Sequence, residues 1–539
     1  MTTTLYRGGR VYNSVDPFAS ALVTQDDLIV WVGSEEAARV HADSVDAVVE
    51  LDGALLAPAF VDAHVHTTST GLNLSGLDLS GTRTLQDALH RLEVHARSVR
   101  GGVVLGHGWD ETRWPEARPP RRDEVDRASY GGVVYLSRVD VHSCVASSAL
   151  LALAPEVSSA PGFSADGWLS QEAHHVVRRI ALDSVTPAQR RAAQRACLQR
   201  AASLGIGMVH ELGGPEISSA DDFTDLLGIV GPESGIEVVG YWGEGGGPEV
   251  ALSLGARGAA GDHFVDGAIG SRTALLRERY ADSDTFGAAY TSAATIRDHV
   301  IACSTAGVQA GYHVIGDGAM DLVVGGFAEA ADAVGVDVIR AAQHRLEHVE
   351  MVDEHARMLL ARLGVIASVQ PVFDFLWGGD SGMYSERLGS GRAATLNPFA
   401  SLQDAGIPMA FGSDAPVTPL APWQAIRAAV HHHQPAERLT ARAAFTAHTR
   451  GGWRAAGRGG GVVAPGEPAN LAVWQCDDLV VETPDDRVSA WSTDPRAGVP
   501  GLPSLEPGTT DPVCLQTVVA GRTVYARDVV QSIKPGSGP

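Results

Sequence analysis

Two imidazoles one residue apart, His64 and His66, close the apolar run over residues 55–65. Residues i and i+2 of a strand project from the same face, so both rings can reach a single ion. Three more candidate ligands stand downstream, each ending its own apolar run: His313 in AGYHVIGD, His348 in HRLEHVE and Asp414 in MAFGSDAPV. Imidazole nitrogen and carboxylate oxygen are the usual donors to zinc and similar borderline divalent ions. One histidine near an apolar strand is more often a satisfied core residue, and the run His431, His432, His433 reads as a solvated helix end. The five together are different. Every member falls at the carboxyl end of an expected strand, where barrel active sites sit.

The elements that must position them repeat one phrase: an Ala- or Leu-rich helix, a glycine, then a short β-branched strand with a polar end. It occurs around Gly205, Gly307, Gly364 and Gly406. Glycine just past a helix takes the left-handed conformation cheaply, and the strands show little alternation, as in a parallel sheet buried on both faces. Repeated βα units predict a (β/α)8 TIM-like barrel, fold class α/β, over residues 58–459. Its strands are expected near 60–66, 208–211, 237–242, 263–266, 309–314, 345–348, 365–370 and 409–414. Residues 70–180 are too many for a loop and read as an inserted α/β subdomain positioned to cover the barrel mouth. Residues 1–57 and 460–539 are both β-rich and small, and together form a composite, discontinuous β-sandwich.

Composition excludes some partners. With 41 basic against 64 acidic residues, the formal charge is −23, so nucleic acid and anionic membranes would be repelled. The opening MTTTLYRGGRVYN lacks the apolar core of a secretory signal, and no apolar run reaches the ~20 residues of a membrane helix. Five scattered cysteines without a CxxC pair fit reduced thiols, so a cytoplasmic location is expected. Lysine occurs once, at Lys534, and the other 40 of the 41 basic residues are arginine.

Secondary candidates for substrate contact come from loops. Arg272 in GSRTALL could take a substrate anion or pair with Asp266, and His142 could enter the pocket from the insertion. Trp109 and Trp114, with Phe373, Phe375 and Trp377 after the seventh strand, are candidates to line an apolar pocket, and packing of the insertion explains them equally.

PAFVDAHVH resembles the PGFIDxHxH signature of the amidohydrolase superfamily. DGAIGSRTA, HVIGDGAMD, HRLEHVE, SVQP, FGSDAPV, GHGWDETRWPE and VAPGEPANLAVW resemble its branch of N-substituted formamide deformylases and YtcJ-like proteins, over nearly the whole chain. The resemblance implies that His64, His66, His313, His348 and Asp414 ligate a divalent metal, with Asp414 and His348 the catalytic candidates and Asp414 moving the proton. Members of that branch often carry a lysine, carbamylated to bridge two metals, where this chain has Asp262. Because Lys534 is the only lysine, no lysine carbamate is expected in the barrel. Asp262 then either bridges as a carboxylate or the site holds one ion. The implied cofactor is zinc, one ion or two, and the implied partner is a small amide-type molecule, with a homodimer as the default assembly. The implied reaction is hydrolysis of a non-peptide C–N bond in an N-acyl amine, N-formyl amine or cyclic amide. Deamination, a lyase or isomerase step, and a catalytically silent scaffold are the alternatives.

Overall fold

The computed structural model describes residues 2–99, 101–111, 114–138, 143–229, 235–482, 491–492, 501–527 and 534–535. They divide into two compact units, Met1–His66 with Leu198–Pro539, and Thr67–Cys197. His142 lies outside the described residues.

The larger unit is built on eight parallel strands: β1 (Phe60–Val65), β2 (Ile206–Gly213), β3 (Glu237–Trp242), β4 (Gly258–Ala259), β5 (Gln309–Val314), β6 (Arg345–His348), β7 (Ile366–Val369) and β8 (Met409–Phe411). Neighbours in sequence are neighbours in the sheet. The ring closes where Val65 bridges Ala415. There the Asp414 amide donates to the His64 carbonyl at 2.8 Å, and the His66 amide to the Ala415 carbonyl at 2.9 Å. Both β1 and β2 are buried along their whole length, as expected of parallel strands covered on both faces. The glycines before the strands do what the sequence predicts. Gly364 stands at φ +67, closing helix Glu354–Leu363 ahead of β7. At Gly205 (φ +73) a side chain is excluded twice over, since a Cβ would lie 2.2 Å from the Trp474 ring.

The fourth strand differs from expectation. Residues 263–266 are not its body; β4 is Gly258–Ala259, and Phe264 keeps only an isolated bridge to His313. Between them Gly261 turns at φ +113, and the His263 amide closes back onto the Gly261 carbonyl at 2.7 Å. A ladder cannot run through that tight turn, and Asp262 sits at its apex.

Both chain ends contribute to two five-stranded sheets. One contains Thr3–Arg7, Ala21–Gln25, Leu28–Gly33, Ala47–Glu50 and Lys534–Pro535; the other contains Arg10–Val11, Leu55–Pro58, Leu471–Gln475, Val513–Val519 and Arg522–Ala526. Leu22, Ile29, Leu56, Leu471, Val473 and Val518 share one core, so N- and C-terminal residues bury each other's apolar faces. Leu55–Pro58 continues through Ala59 into β1, which ties this core to the barrel.

The smaller unit carries a five-stranded sheet with Trp168–Ser170, Ser143–Ala146, Val134–Arg138, Val104–Trp109 and Leu77–Asp78 in that order. Trp109 and Trp114 are fully buried in its own core with Leu85, Leu92 and Leu136. Their indole N–H groups donate to the carbonyls of Leu136 at 3.0 Å and Thr82 at 3.2 Å. This corrects the sequence-based assignment of both to a substrate pocket: their apolar faces and their polar handles are used up inside the unit. No helix among the described residues is long and apolar enough to cross a membrane.

Candidate metal centre

Alternation along β1 sends Asp62, His64 and His66 toward the lumen. Asp62 accepts the amides of His64 at 3.3 Å and Ser413 at 2.8 Å, stitching β1 to the loop that follows β8. His313 comes from β5 and Asp262 from the turn after β4. His348 is placed against the rule. Arg345 and Glu347 of β6 point inward, so alternation alone would send the next residue outward. Instead His348 and Val349 take φ +71 and +51, a left-handed turn that swings the imidazole back over the mouth. Asp414 stands at φ +55. Such conformations cost about 1–3 kcal/mol each and cluster at functional sites. Hydrogen bonds hold them in place: the Val349 amide reaches the Val314 and Glu347 carbonyls, both at 3.0 Å.

These side chains converge. His66 Nε2 lies 3.1 Å from Asp262 Oδ2 and 3.1 Å from Asp414 Oδ1. His64 Nε2 lies 3.4 Å from Asp414 Oδ1 and 3.6 Å from Asp262 Oδ1. Asp262 Oδ1 is also 3.6 Å from His313 Nδ1 and 3.8 Å from His348 Nε2. Two groups have metal-ligand spacing, His64–His66–Asp414 and His64–Asp262–His348, sharing His64.

The protonation pattern follows from the outer partners. His64 Nδ1 meets Glu347 at 2.9 Å, His66 Nδ1 the Leu212 carbonyl at 3.1 Å, His313 Nε2 the Gly267 carbonyl at 3.3 Å, and His348 Nδ1 the Gln370 Oε1 at 2.8 Å. Each acceptor oxygen takes an N–H, which turns the opposite nitrogen of all four rings toward the centre. Among the described residues, His64 Nε2, His313 Nδ1, Asp262 Oδ1 and Asp414 Oδ1 are buried with no hydrogen-bond donor or acceptor of their own. Lone pairs and carboxylate oxygens at these distances repel unless positive charge separates them. Burial disfavours charge on His66, yet Asp262 and Asp414 push its pKa up to about 10. Burial likewise opposes ionisation of Asp414, but the facing histidines hold it below the usual carboxylate range. This donor set fits a divalent cation.

Below the cluster lies a second polar layer that sequence reasoning passed over. Arg345 is wholly buried, donating from Nε to Glu347 Oε1 at 2.6 Å, from Nη1 to His210 at 3.0 Å, and from Nη2 to the Ala63 carbonyl at 2.7 Å and Ser368 Oγ at 3.0 Å. Its guanidinium also stacks 4.5 Å over the Tyr241 ring. Burial raises the Glu347 pKa, but Arg345 and His64 outweigh it and bring it to about 2. The signal was present: two charges at i and i+2 in RLEH, a strand buried at every position.

The remaining candidates separate. Phe373 is buried and stacks on His348, with centroids 5.8 Å apart and planes 8° apart; Trp377 packs on Phe373 at 4.7 Å, while Phe375 is exposed. Arg272 does not pair with Asp266. It forms a two-pronged pair with Asp282 at 2.6 and 3.0 Å, and Asp266 instead accepts the amides of Leu275, Ile315 and Gly316. His432 is buried and 3.4 Å from Asp374, and His433 donates its amide to the same carboxylate at 3.0 Å. The run does follow the end of helix Pro422–Val430 and His433 is exposed, so the reading as solvated is corrected at His432 alone.

An eight-stranded parallel barrel with an imidazole–carboxylate cluster at its strands' carboxyl ends defines a class, and the comparisons make it specific. The amidohydrolase family model matches residues 47–525, and the chain belongs to that family. It is 26% identical over 514 residues to Protein LONG AFTER FAR-RED 3 of Arabidopsis thaliana, covering 87% of this chain and 86% of that one. It is 23% identical over 528 residues to an N-substituted formamide deformylase of Arthrobacter pascens, covering 87% and 92%. The fold matches an uncharacterized metal-dependent hydrolase from Pyrococcus furiosus with a TM-score of 0.74 at 24% identity, over 88% of this chain and 99% of that one.

Proposed function

We propose that this protein is a metal-dependent hydrolase of a non-peptide C–N bond, acting on a small N-acyl amine, N-formyl amine or cyclic amide. The observation that carries the reading is the convergence of four imidazoles and two carboxylates at the barrel mouth, with His64 Nε2, His313 Nδ1, Asp262 Oδ1 and Asp414 Oδ1 buried and unpartnered. Its nitrogen-rich composition favours zinc, held by His64, His66, His313, His348, Asp414 and Asp262. A divalent ion there supplies Lewis acidity, bringing the pKa of water from about 16 toward 7. Asp414 takes the proton of the attacking water and returns it to the departing nitrogen, which leaves as a neutral amine. Its ionised state suits that first transfer. His348, fixed by Gln370 and stacked on Phe373, presents a neutral ring nitrogen beside Asp262. Similarity to an N-substituted formamide deformylase supports the bond class.

The test is a panel of N-formyl and N-acyl amines assayed for amine and acid in equal amounts, alongside elemental analysis of the purified protein. Asp414→Asn should lose about 10²–10⁴-fold in turnover, the range for a positioned acid–base group, with the fold retained. His64→Ala should lose both turnover and metal. Near-normal turnover in either variant would refute the roles of Asp414 and His64. One equivalent of metal against two decides whether Asp262 bridges.

A further inference from the structure

At the opposite end of the barrel lies an open groove of about 750 Å³. Met409, which begins β8, lines it, whereas Asp414 follows the far end of the same strand. That volume is within the range of small-ligand sites. The groove's charge is unusual for this chain. Arg442, Arg450, Arg454 and Arg458 line it against a single acid, Glu467, on a protein whose net charge is −23.

The arginines converge because of local backbone. Helix Ala441–Thr446 passes into a single π-turn, Ala447–Gly451, and on into Gly452–Ala455. Arg450 and Arg454, four residues apart, share a face, where like charges oppose helix formation. A π-turn is rare, and such turns are frequent at functional sites. Arg458 is engaged, with Glu237 at 2.6 Å and the Trp453 ring at 4.7 Å. Arg442, Arg450 and Arg454 form no ion pair or side-chain hydrogen bond among the described residues, although acids outnumber bases in the chain.

A second observation points the same way. Gly459 and Gly460 form part of the groove wall. A Cβ at Gly460 would lie 2.6 Å from the Trp453 ring, and one at Gly461 2.6 Å from the Arg450 amide nitrogen, so these two positions admit no side chain. Among the described residues the amides of Gly459, Gly460 and Gly461 donate to nothing. Free backbone N–H groups beside guanidinium forks are the two donor types that bind phosphate best.

We propose that this groove binds a phosphorylated small molecule, at a site separate from the metal centre. Guanidinium groups of Arg450 and Arg454 hold one phosphate in two-pronged contacts, and the Gly459–Gly461 backbone takes a second charged group.

Calorimetric titration of the metal-loaded full chain with fructose 1,6-bisphosphate, which carries two phosphates, tests it. Saturable binding of one molecule per chain is expected. Arg450→Gln with Arg454→Gln should weaken it about tenfold or more, the loss expected when charge-assisted contacts are removed. Thr446→Glu keeps every arginine and sets a carboxylate in the groove wall; it should weaken binding likewise. Arg39→Gln, an exposed change in helix Glu35–Ala42, should leave it unchanged. Absence of saturable binding, full affinity in the double variant, or an equal loss in Arg39→Gln would each overturn the proposal.

Discussion

Two layers of one barrel lumen, a strand-residue or two apart, treat polar atoms in opposite ways. In the lower layer every nitrogen of Arg345 has an oxygen, nitrogen or ring partner, and Glu347 is shared between Arg345 and His64. In the upper layer four polar atoms of His64, His313, Asp262 and Asp414 are buried with none, and the backbone at His348, Val349 and Asp414 is left-handed. A buried polar group without a partner is expensive, and so is a strained residue. Apart from His210 Nε2, which is buried without a partner, the lower layer therefore reads as the support, with Arg345 and Glu347 satisfied and fixed, and the upper layer as the part kept ready for an external charge.

That difference can be broken from below. Arg345→Met removes the cation and leaves Glu347 ionised and buried, a change that costs about 3–5 kcal/mol when a buried pair loses one partner. Denaturant unfolding should register a loss of that size; a neutral outcome would mean that the lower layer is not a support. Glu347→Gln is milder, because shape is kept and only the charge that fixes the His64 N–H is lost. Metal affinity should fall about 10–100-fold, as for other outer partners of ligating histidines, with stability changed far less than in Arg345→Met. Chelator competition measures the first and thermal melting the second.

How much of this was legible in the sequence differs between the layers. His64 and His66 could be read directly, because a period of two places both on one face. His348 could be found by residue type but not by geometry, since its position in β6 points outward and only the left-handed turn brings it in. Asp262 was found by position, while β4 was misplaced because Gly261 looks like an ordinary strand glycine and gives no sign of the turn it makes. Arg345 and Glu347 stood in plain view on a buried strand. They escaped because each charge alone suggests exposure, and only the pairing across β1, β2, β6 and β7 explains their burial. Trp109 and Trp114 misled for the reverse reason: aromatics beside the charged turn GWDETRWPE look like pocket walls, yet their N–H groups close onto carbonyls within their own unit.

The upper layer also predicts a pH effect specific to the metal-free protein. Asp262 and Asp414 outweigh burial and raise His66 from 6.5 to about 10. A raised folded-state pKa stabilises below the unfolded value, and that stability is lost as pH climbs through the folded one. The metal-free protein should therefore melt at progressively lower temperature between about pH 6.5 and 10, and the trend should vanish once metal replaces the proton. A flat profile in the metal-free protein would show that the carboxylates do not hold a proton on the ring.

The smallest expected effect is at Lys534, and it bears on whether the upper layer is complete. Its strand, Lys534–Pro535, pairs with Ala47 and Val48 in an end sheet, not with any barrel strand. If the charge that organises the metal centre comes only from Asp262, Asp414 and the imidazoles, Lys534→Met should leave turnover and metal content at wild-type values. A loss of metal on that change would mean that a lysine nitrogen takes part in the site. The carboxylate of Asp262 would then be a neighbour of the centre instead of one of its ligands.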